Sequence, residues 1–200
     1  MIGYAPTFFT DNIRIRADLD GLGVLGDLGW YCARAILWAF DYVLPQRVTS
    51  LPDTKFNKDG VLLSCKACLQ WKDGKSATFQ CSFLLNMKMT LTVYGSNGTL
   101  EVDDFVIPHD ENTSQFGYQR LMMFEPLDLG WKQLVDDTNV RVDAPQESLM
   151  LKKFSTLVKG IKDGSGSIDT FWPTIARKTQ QLLNAVKYSA ENGCTTVMVA

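Results

Sequence analysis

The sequence has little of several things that often point to function. It contains one histidine, His109, in 200 residues, so a histidine-based catalytic triad is possible only around that position, in a predicted loop beside Pro108. The net charge is −2 at pH 7, which gives no electrostatic reason to expect a nucleic acid or an anionic membrane as partner. No hydrophobic run is long enough to span a membrane.

The cysteines also lack the pattern of a disulfide framework. The five cysteines are an odd number, and the N-terminal residues lack the basic and apolar regions of a signal peptide, so we expect a reducing compartment, the cytoplasm. Cys65 and Cys68 form a C-x-x-C without a second pair, and residues three apart on a strand face opposite ways. We therefore expect packed cysteines and no metal site.

Alternating hydrophobicity predicts an antiparallel meander in the middle of the chain. Residues 61–71 and 77–85 alternate on either side of Asp73-Gly74, a strong hairpin signal. Residues 87–94 continue through Ser96-Asn97-Gly98 into a fourth strand, 99–106. Residues 46–51 favour a further strand, and residues 116–124 and 127–142 favour one or two more.

The second face of this meander is rich in Ser, Thr and Gln and carries little charge. Such a face is typical of a surface that meets a second copy of the chain, although a plain exposed sheet face also fits. We expect a homodimer through this face, which carries Thr78, Gln80, Ser82, Thr90 and Thr92.

Three segments have helical spacing. Residues 27–41 place Leu28, Cys32, Ala35, Trp38 and Ala39 on one face. Pro145 and Pro173 each open a later helix with an apolar stripe. Ordinary composition, 46% hydrophobic and 21% charged, and the lack of a repeat predict one domain over residues 1–200. The fold class is α+β: an open, mostly antiparallel β-sheet with helices packed on one face.

The candidate site lies where a glycine-rich loop enters the first helix. Asp27 stands at the start of the helix and Tyr31 four residues later, so a carboxylate and a phenol lie one turn apart on one face. The alternative is structural: Asp27 accepts hydrogen bonds from the first turn as a cap, and Tyr31 is a buried core residue.

The loop itself, Gly21 to Gly26, matches G-x-G-x-x-G, the dinucleotide-binding fingerprint. That motif is informative only when a hydrophobic strand leads directly into it. Here residues 12–20 are short and charged, so we do not expect this loop to bind a nucleotide.

The residues from Gly21 to Tyr31 resemble the glycine-rich D-x-G-x-[HY] segment of the glucose-fructose oxidoreductase, inositol dehydrogenase and rhizopine-catabolism (Gfo/Idh/MocA) family. The chain is most similar to plant oxidoreductases of that family, which share residues 26–32, 94–98 and 177–180. The resemblance covers nearly all of residues 7–193. It implies NAD(P)-dependent hydride transfer on a sugar, polyol or related alcohol or carbonyl, and dimerisation through the sheet.

The same resemblance implies roles for four residues. Tyr31 would be the proton donor or acceptor at the substrate oxygen and Asp27 its supporting carboxylate. Gly23 in the loop and Trp30 beside Tyr31 would contact substrate. A phenol with a pKa near 10 needs a positive group nearby to act at neutral pH, and the family supplies a lysine from its nucleotide-binding half.

This sequence shows only the C-terminal half of that pattern. We expect the N-terminal Rossmann domain to be absent, and with it NAD or NADP binding by this chain alone. The chain is then either a fragment or truncated form of an oxidoreductase, or a catalytically inactive binding or oligomerisation module. An in-frame G-x-G-x-x-G unit encoded upstream of Met1 would favour the first.

Overall fold

The computed structural model describes residues 1–3, 12–120 and 136–199. They form two compact units, Met1–Met89 with Phe171–Ala200, and Thr90–Thr170. The helices are α1 (Leu28–Ala39), α2 (Gln146–Lys162) and α3 (Phe171–Glu191). The strands are β1 (Ile2–Gly3), β2 (Arg47–Ser50), β3 (Lys55–Phe56), β4 (Leu62–Gln70), β5 (Ser76–Ser82), β6 (Lys88–Met89), β7 (Leu91–Gly95), β8 (Gly98–Val102), β9 (Thr113–Arg120), β10 (Asp136–Arg141) and β11 (Val197–Met198).

The first unit is built on a sheet in the order β11-β2-β4-β5-β1-β6, with β3 also paired to β4. All pairings are antiparallel except that of β1 with β5. The predicted hairpin is confirmed: β4 and β5 pair from Ser64–Ser82 to Gln70–Ser76 around Gly74, which has a φ of 86°. A left-handed φ favours glycine at this point of the turn.

Two helices pack against this sheet and against each other. α1 contacts β5 and β1, and α3 contacts β2 and β11. The inward residues predicted for the last helix are confirmed, since Ile175, Leu182, Leu183, Val186 and Ala190 are all buried. The fold class, α+β with mostly antiparallel strands and with helices packed on the first sheet, is therefore as predicted.

The predicted inward face of α1 is partly wrong. Trp38 is 57% exposed, and Ala35 and Ala39 are not buried. The small residues Gly29 and Ala33 face inward instead, and a Cβ added at Gly29 would lie 3.5 Å from Cys81 Sγ on β5. Because Gly29 and Ala33 have small side chains, this face lets the helix approach the sheet closely. Its buried residues are Leu28, Gly29, Cys32, Ala33, Ile36 and Leu37.

The second unit has its own antiparallel sheet in the order β10-β9-β8-β7. The prediction of one continuous meander is wrong at residues 87–94, because β6 ends at Met89 in the first sheet and β7 begins at Leu91 in the second. The Ser96-Asn97 turn between β7 and β8 is confirmed by the pairing of Gly95 with Gly98. β9 and β10 confirm two strands within 116–142, although residues 121–135 of that prediction lie outside the described residues.

The five polar residues predicted to share one sheet face do not. Thr78 and Gln80 lie on β5 of the first sheet, whereas Thr92 lies on β7 of the second. Ser82 is fully buried, and Thr90 belongs to neither strand. The single face is therefore wrong, and the homodimer stays a prediction.

None of the helices in the described part of the chain is long and apolar enough to cross a membrane.

Candidate functional site at the start of the first helix

The loop before α1 is held by its own hydrogen bonds. The Asp20 carboxylate accepts from the backbone N–H groups of Leu22 and Gly23, at 3.0 and 3.1 Å. Lys187 on α3 donates to the carbonyl oxygen of Gly21 at 2.8 Å. Gly23 opens a 3-10 turn, Gly23–Leu25, and its φ of 54° is left-handed.

This loop does not fit a nucleotide phosphate. Asp20 already occupies two backbone N–H groups of the kind that bind phosphate in fingerprint loops. A Cβ at Gly23 would lie 2.4 Å from the Leu62 carbonyl oxygen, so the backbone packs against β4 rather than leaving space for a ligand. The residues leading into the loop form a 3-10 turn, Ile13–Ile15, instead of a strand.

Asp27 is placed at the start of α1 as predicted, but it does not cap the helix. Its side chain makes no capping hydrogen bond. Instead, Arg14 Nε lies 2.9 Å from Asp27 Oδ2, with both side chains partly exposed. The preference of aspartate for helix starts rests on its carboxylate being free to reach the first N–H groups, and here an arginine holds it.

The electrostatic environment of Asp27 is mixed. Burial raises the pKa of its carboxyl above the usual value, the Arg14 guanidinium lowers it, and the neighbouring Asp20 raises it again. Burial is the largest of these effects, so the net pKa is raised. A carboxyl group with a raised pKa at a partly open position is a recurrent feature of functional sites.

Tyr31 lies one helical turn after Asp27 and is 44% exposed. The structural alternative, a buried core tyrosine, is therefore wrong. Trp30, its neighbour, is half-buried. The Cζ atom of Arg34 lies 6.0 Å from the centroid of the Trp30 ring, within the range of a cation–π contact. The exposed phenol can donate a hydrogen bond to, or accept one from, a bound molecule.

Three charged residues near this site were not found from the sequence: Arg14, Asp20 and Arg34. Arg14 is distant in the chain, and nothing in its surroundings signals a contact with Asp27. Asp20 stands three residues before Gly23 and could have been found as a local turn acceptor. Arg34 follows Trp30 by four residues, a spacing that places the two side chains on one helix face.

The cysteines considered from the sequence are not part of this site. Cys65 is buried on β4 and Cys68 is half-buried, consistent with their opposite directions on the strand. Burial raises the pKa of the Cys65 thiol to about 11 and that of Cys32 to about 12, so neither is a ready nucleophile at neutral pH. No group of His, Cys, Asp and Glu within the described ranges is arranged to hold a metal ion.

The second unit contains a small cavity of about 140 Å³, lined by residues 106–108, 111 and 145–147. Two of its lining residues are Glu111 and Glu147, and none is a predicted site residue. His109 is exposed in the same loop, and its backbone N–H donates to Asp104 at 2.7 Å.

The chain is similar to known proteins both in sequence and in fold. Residues 3–101 match the family described as GFO/IDH/MocA C-terminal domain. A putative NADPH-dependent oxidoreductase from Desulfitobacterium hafniense is similar over 99% of this chain and 55% of its own length, with 14% identity and a TM-score of 0.67. An NAD-binding oxidoreductase from Klebsiella pneumoniae is similar over 100% and 57%, with 17% identity and a TM-score of 0.65.

A third similar structure is KijD10, a 3-ketoreductase from Actinomadura kijaniata solved with NADP and TDP-benzene. It is 17% identical over 94% of this chain and 51% of its own length, with a TM-score of 0.69. The chain thus spans about half the length of these solved structures. At such identities the likeness shows the fold. The chain is thus similar to the C-terminal domain of the Gfo/Idh/MocA family over residues 3–101, and it shares the fold of these solved structures over nearly its whole length.

Proposed function

We propose that this chain is the substrate-binding half of an NAD(P)-dependent oxidoreductase acting on a sugar, polyol or related alcohol or carbonyl. The observation that carries the proposal is the exposed phenol of Tyr31. It lies one helical turn from the Asp27 carboxyl, where the hydrogen-bonded loop enters α1. Because the Tyr31 side chain is exposed, core packing does not account for it, and it lies beside a carboxyl group whose pKa is raised.

Tyr31 would exchange a proton with the substrate oxygen. A positioned side chain that moves a proton in the transition state contributes typically a factor of about 10² to 10⁴ in rate. Asp27, held by Arg14 at 2.9 Å, would orient the substrate or the phenol. Trp30 would contact the substrate beside them, and Gly23 would act by keeping the loop close to β4.

Two points support the class of reaction. Residues 3–101 match the C-terminal domain of an oxidoreductase family, and the similar proteins named above include a 3-ketoreductase solved with NADP. Nicotinamide cofactors supply hydride when bound, and the Gly21–Gly26 loop does not fit one. We therefore propose that the cofactor is held by a nucleotide-binding half outside these 200 residues.

The test is a fusion of the chain to a nucleotide-binding half of this family, assayed with sugars and polyols. Tyr31→Phe keeps the ring but removes the hydroxyl. It should lower kcat by roughly a hundredfold or more while changing the free energy of unfolding by only about 1 kcal/mol. The unfused chain is the baseline and should show no turnover.

Tyr188 on α3 gives a matched control, since it is 57% exposed in the same unit. Tyr188→Phe should leave kcat unchanged. If Tyr31→Phe keeps nearly full turnover while its Tm falls by many degrees, Tyr31 is a structural residue. That result would favour the alternative function, a catalytically inactive binding or oligomerisation module.

We also propose self-association through the outer face of β4 and β5. Lys66 and Cys68 pair across the strands with Gln80 and Thr78 on this face. Sedimentation of the wild type should show a dimer. Thr78→Lys adds a second cation to the face beside Lys66 and should shift the population to monomer, whereas Thr92→Lys on the second sheet should not. A monomeric wild type would contradict this proposal.

A further inference from the structure

Arg34 is the residue that the proposed reaction does not use. It lies on α1 seven residues after Asp27 and three after Tyr31. At 3.6 residues per turn, positions 27, 31 and 34 share one side of the helix, and Arg34 follows Tyr31 by about 4.5 Å along the axis. A molecule in contact with the Tyr31 hydroxyl could therefore reach the Arg34 guanidinium.

The guanidinium of Arg34 has no polar partner among the described residues. Its Nη1 atom is buried and has no hydrogen-bond partner, and no hydrogen bond or ion pair joins Arg34 to another residue in the described ranges. Its one defined contact is with the face of Trp30, 6.0 Å from Cζ to the ring centroid. An aromatic face accommodates the cation but supplies no acceptor in the plane of the N–H groups.

Such an arrangement is costly unless an acceptor arrives. Arginine stays charged in proteins and offers five N–H donors and no acceptor. Buried donors in native proteins are nearly always paired, and an unpaired donor on a cation costs more than a neutral one. The cost cannot be relieved by loss of a proton, so a partner must come from elsewhere.

The carboxylates of the same loop already have partners. Asp27 is paired with Arg14 at 2.9 Å. Asp20 accepts from the backbone of Leu22 and Gly23. With these two engaged, neither carboxylate of the described loop is left for Arg34, and an oxygen of a bound molecule can supply the acceptor that it lacks.

We propose that Arg34 binds an anionic group, a carboxylate or a phosphate, carried by the substrate whose reacting oxygen contacts Tyr31. The proposal rests on the function proposed above and names its substrate class. The substrate would be a sugar or polyol that carries a carboxylate or a phosphate ester near the reacting carbon. The planar fork of arginine fits both anions through two parallel hydrogen bonds. The Trp30 ring, 6.0 Å from Arg34 Cζ to its centroid, would help to orient the fork, which makes Arg34 a specificity residue.

The test uses the unfused, 15N-labelled chain and follows the Trp30 indole N–H and the Arg34 Nε–H by NMR. The probes are glucuronate, glucose 6-phosphate and neutral glucose, at constant ionic strength. One of the two anions should shift both signals saturably, and glucose should bind at least about tenfold more weakly. The anion that binds more tightly identifies the charged group.

Three variants separate this role from a structural one. Arg34→Met fills similar space without charge and should weaken binding of the preferred anion by about tenfold or more. Arg34→Lys keeps the charge but loses the fork, so its binding should be intermediate. Arg177→Met, at an exposed arginine of α3, should bind like the wild type. Removing an unpaired buried cation should also leave Tm unchanged or raised.

The proposal is overturned if neither anion saturates, if glucose binds as well as the anions, or if Arg34→Met binds like the wild type. It is also overturned if Arg34→Met and Arg34→Lys both lower Tm by many degrees. Turnover of the fused Tyr31→Phe variant tests the proposed reaction separately. Loss of anion binding with Tyr31 still essential contradicts only the role of Arg34.

Discussion

The helices α3 and α2 have similar sequence patterns but differ in how far their apolar faces are buried. Pro145 stands directly before α2, Pro173 lies in the first turn of α3, and both helices carry apolar residues at helical spacing. α3 buries eight residues in the first unit, whereas α2 buries none in the second. Its apolar stripe stays open: Met150 is 64% exposed, Phe154 66% and Ile161 47%.

The same contrast holds for the units as wholes. Every buried hydrophobic side chain among the described residues belongs to the first unit, and the second has none. The first unit therefore has a core that can hold Asp27, Tyr31 and Arg34 in place. The second is held, in the described residues, by strand pairing and local contacts. Amphipathic spacing predicts a helix, but it does not tell what covers the apolar face.

The largest expected effect compares one leucine from each helix. Leu182 on α3 is fully buried, and Leu151 on α2 is 63% exposed. Leu182→Ala should lower the free energy of unfolding by about 3–5 kcal/mol, since it leaves a cavity, whereas Leu151→Ala should change it by less than about 0.5 kcal/mol. Urea denaturation measures both. Equal losses would break the comparison and show that the face of α2 is buried in solution.

The next effect compares two glycines with left-handed backbone. Gly23 in the first unit has a φ of 54°, and an added Cβ would lie 2.4 Å from the Leu62 carbonyl oxygen. Gly164 in the second unit has a φ of 68° and open space around it. Gly23→Ala carries both strain and a clash and should cost about 2–4 kcal/mol.

Gly164→Ala carries the backbone strain alone and should cost about 1 kcal/mol. Thermal unfolding of the two variants gives the difference. A loss at Gly23 no greater than that at Gly164 would show that the loop can move away from β4. The loop would then have room for the ligand that the predicted role of Gly23 in substrate binding requires.

The smallest effect concerns the pH dependence within the first unit. Burial raises the pKa of Asp27 in the folded state. The Asp27 carboxylate therefore binds a proton more tightly in the folded protein than in the unfolded chain. Its contribution to stability is full below the ordinary pKa of 3.8 and is lost as pH rises through the folded value.

Asp27→Asn removes this titration, so the stability of the wild type relative to Asp27→Asn should fall between pH 3 and neutral pH. Urea denaturation of both proteins over that range measures it. An increase of the relative stability with pH would mean that the Arg14 ion pair outweighs burial, and that Asp27 is an ordinary paired carboxylate.

The sequence by itself determined the local elements. Alternation over residues 61–71 and 77–85 with Asp73-Gly74 between them specified a hairpin, and the spacing of Ile175, Leu182 and Val186 specified the inward face of α3. It also placed Asp27 and Tyr31 one turn apart, because helical geometry fixes that spacing whatever lies around it. Local backbone preference and side-chain periodicity act over a few residues, and they are visible in the chain.

Only the tertiary structure decided what these elements meet. It divided the meander at Thr90, rotated α1 so that Gly29 and Ala33 face the sheet, and brought Arg14 to Asp27 across thirteen positions of the chain. It also buried Nη1 of Arg34 without a partner. Burial, ion pairing and the pKa of a carboxyl depend on surfaces that are distant in sequence, and no local pattern encodes which of them come together.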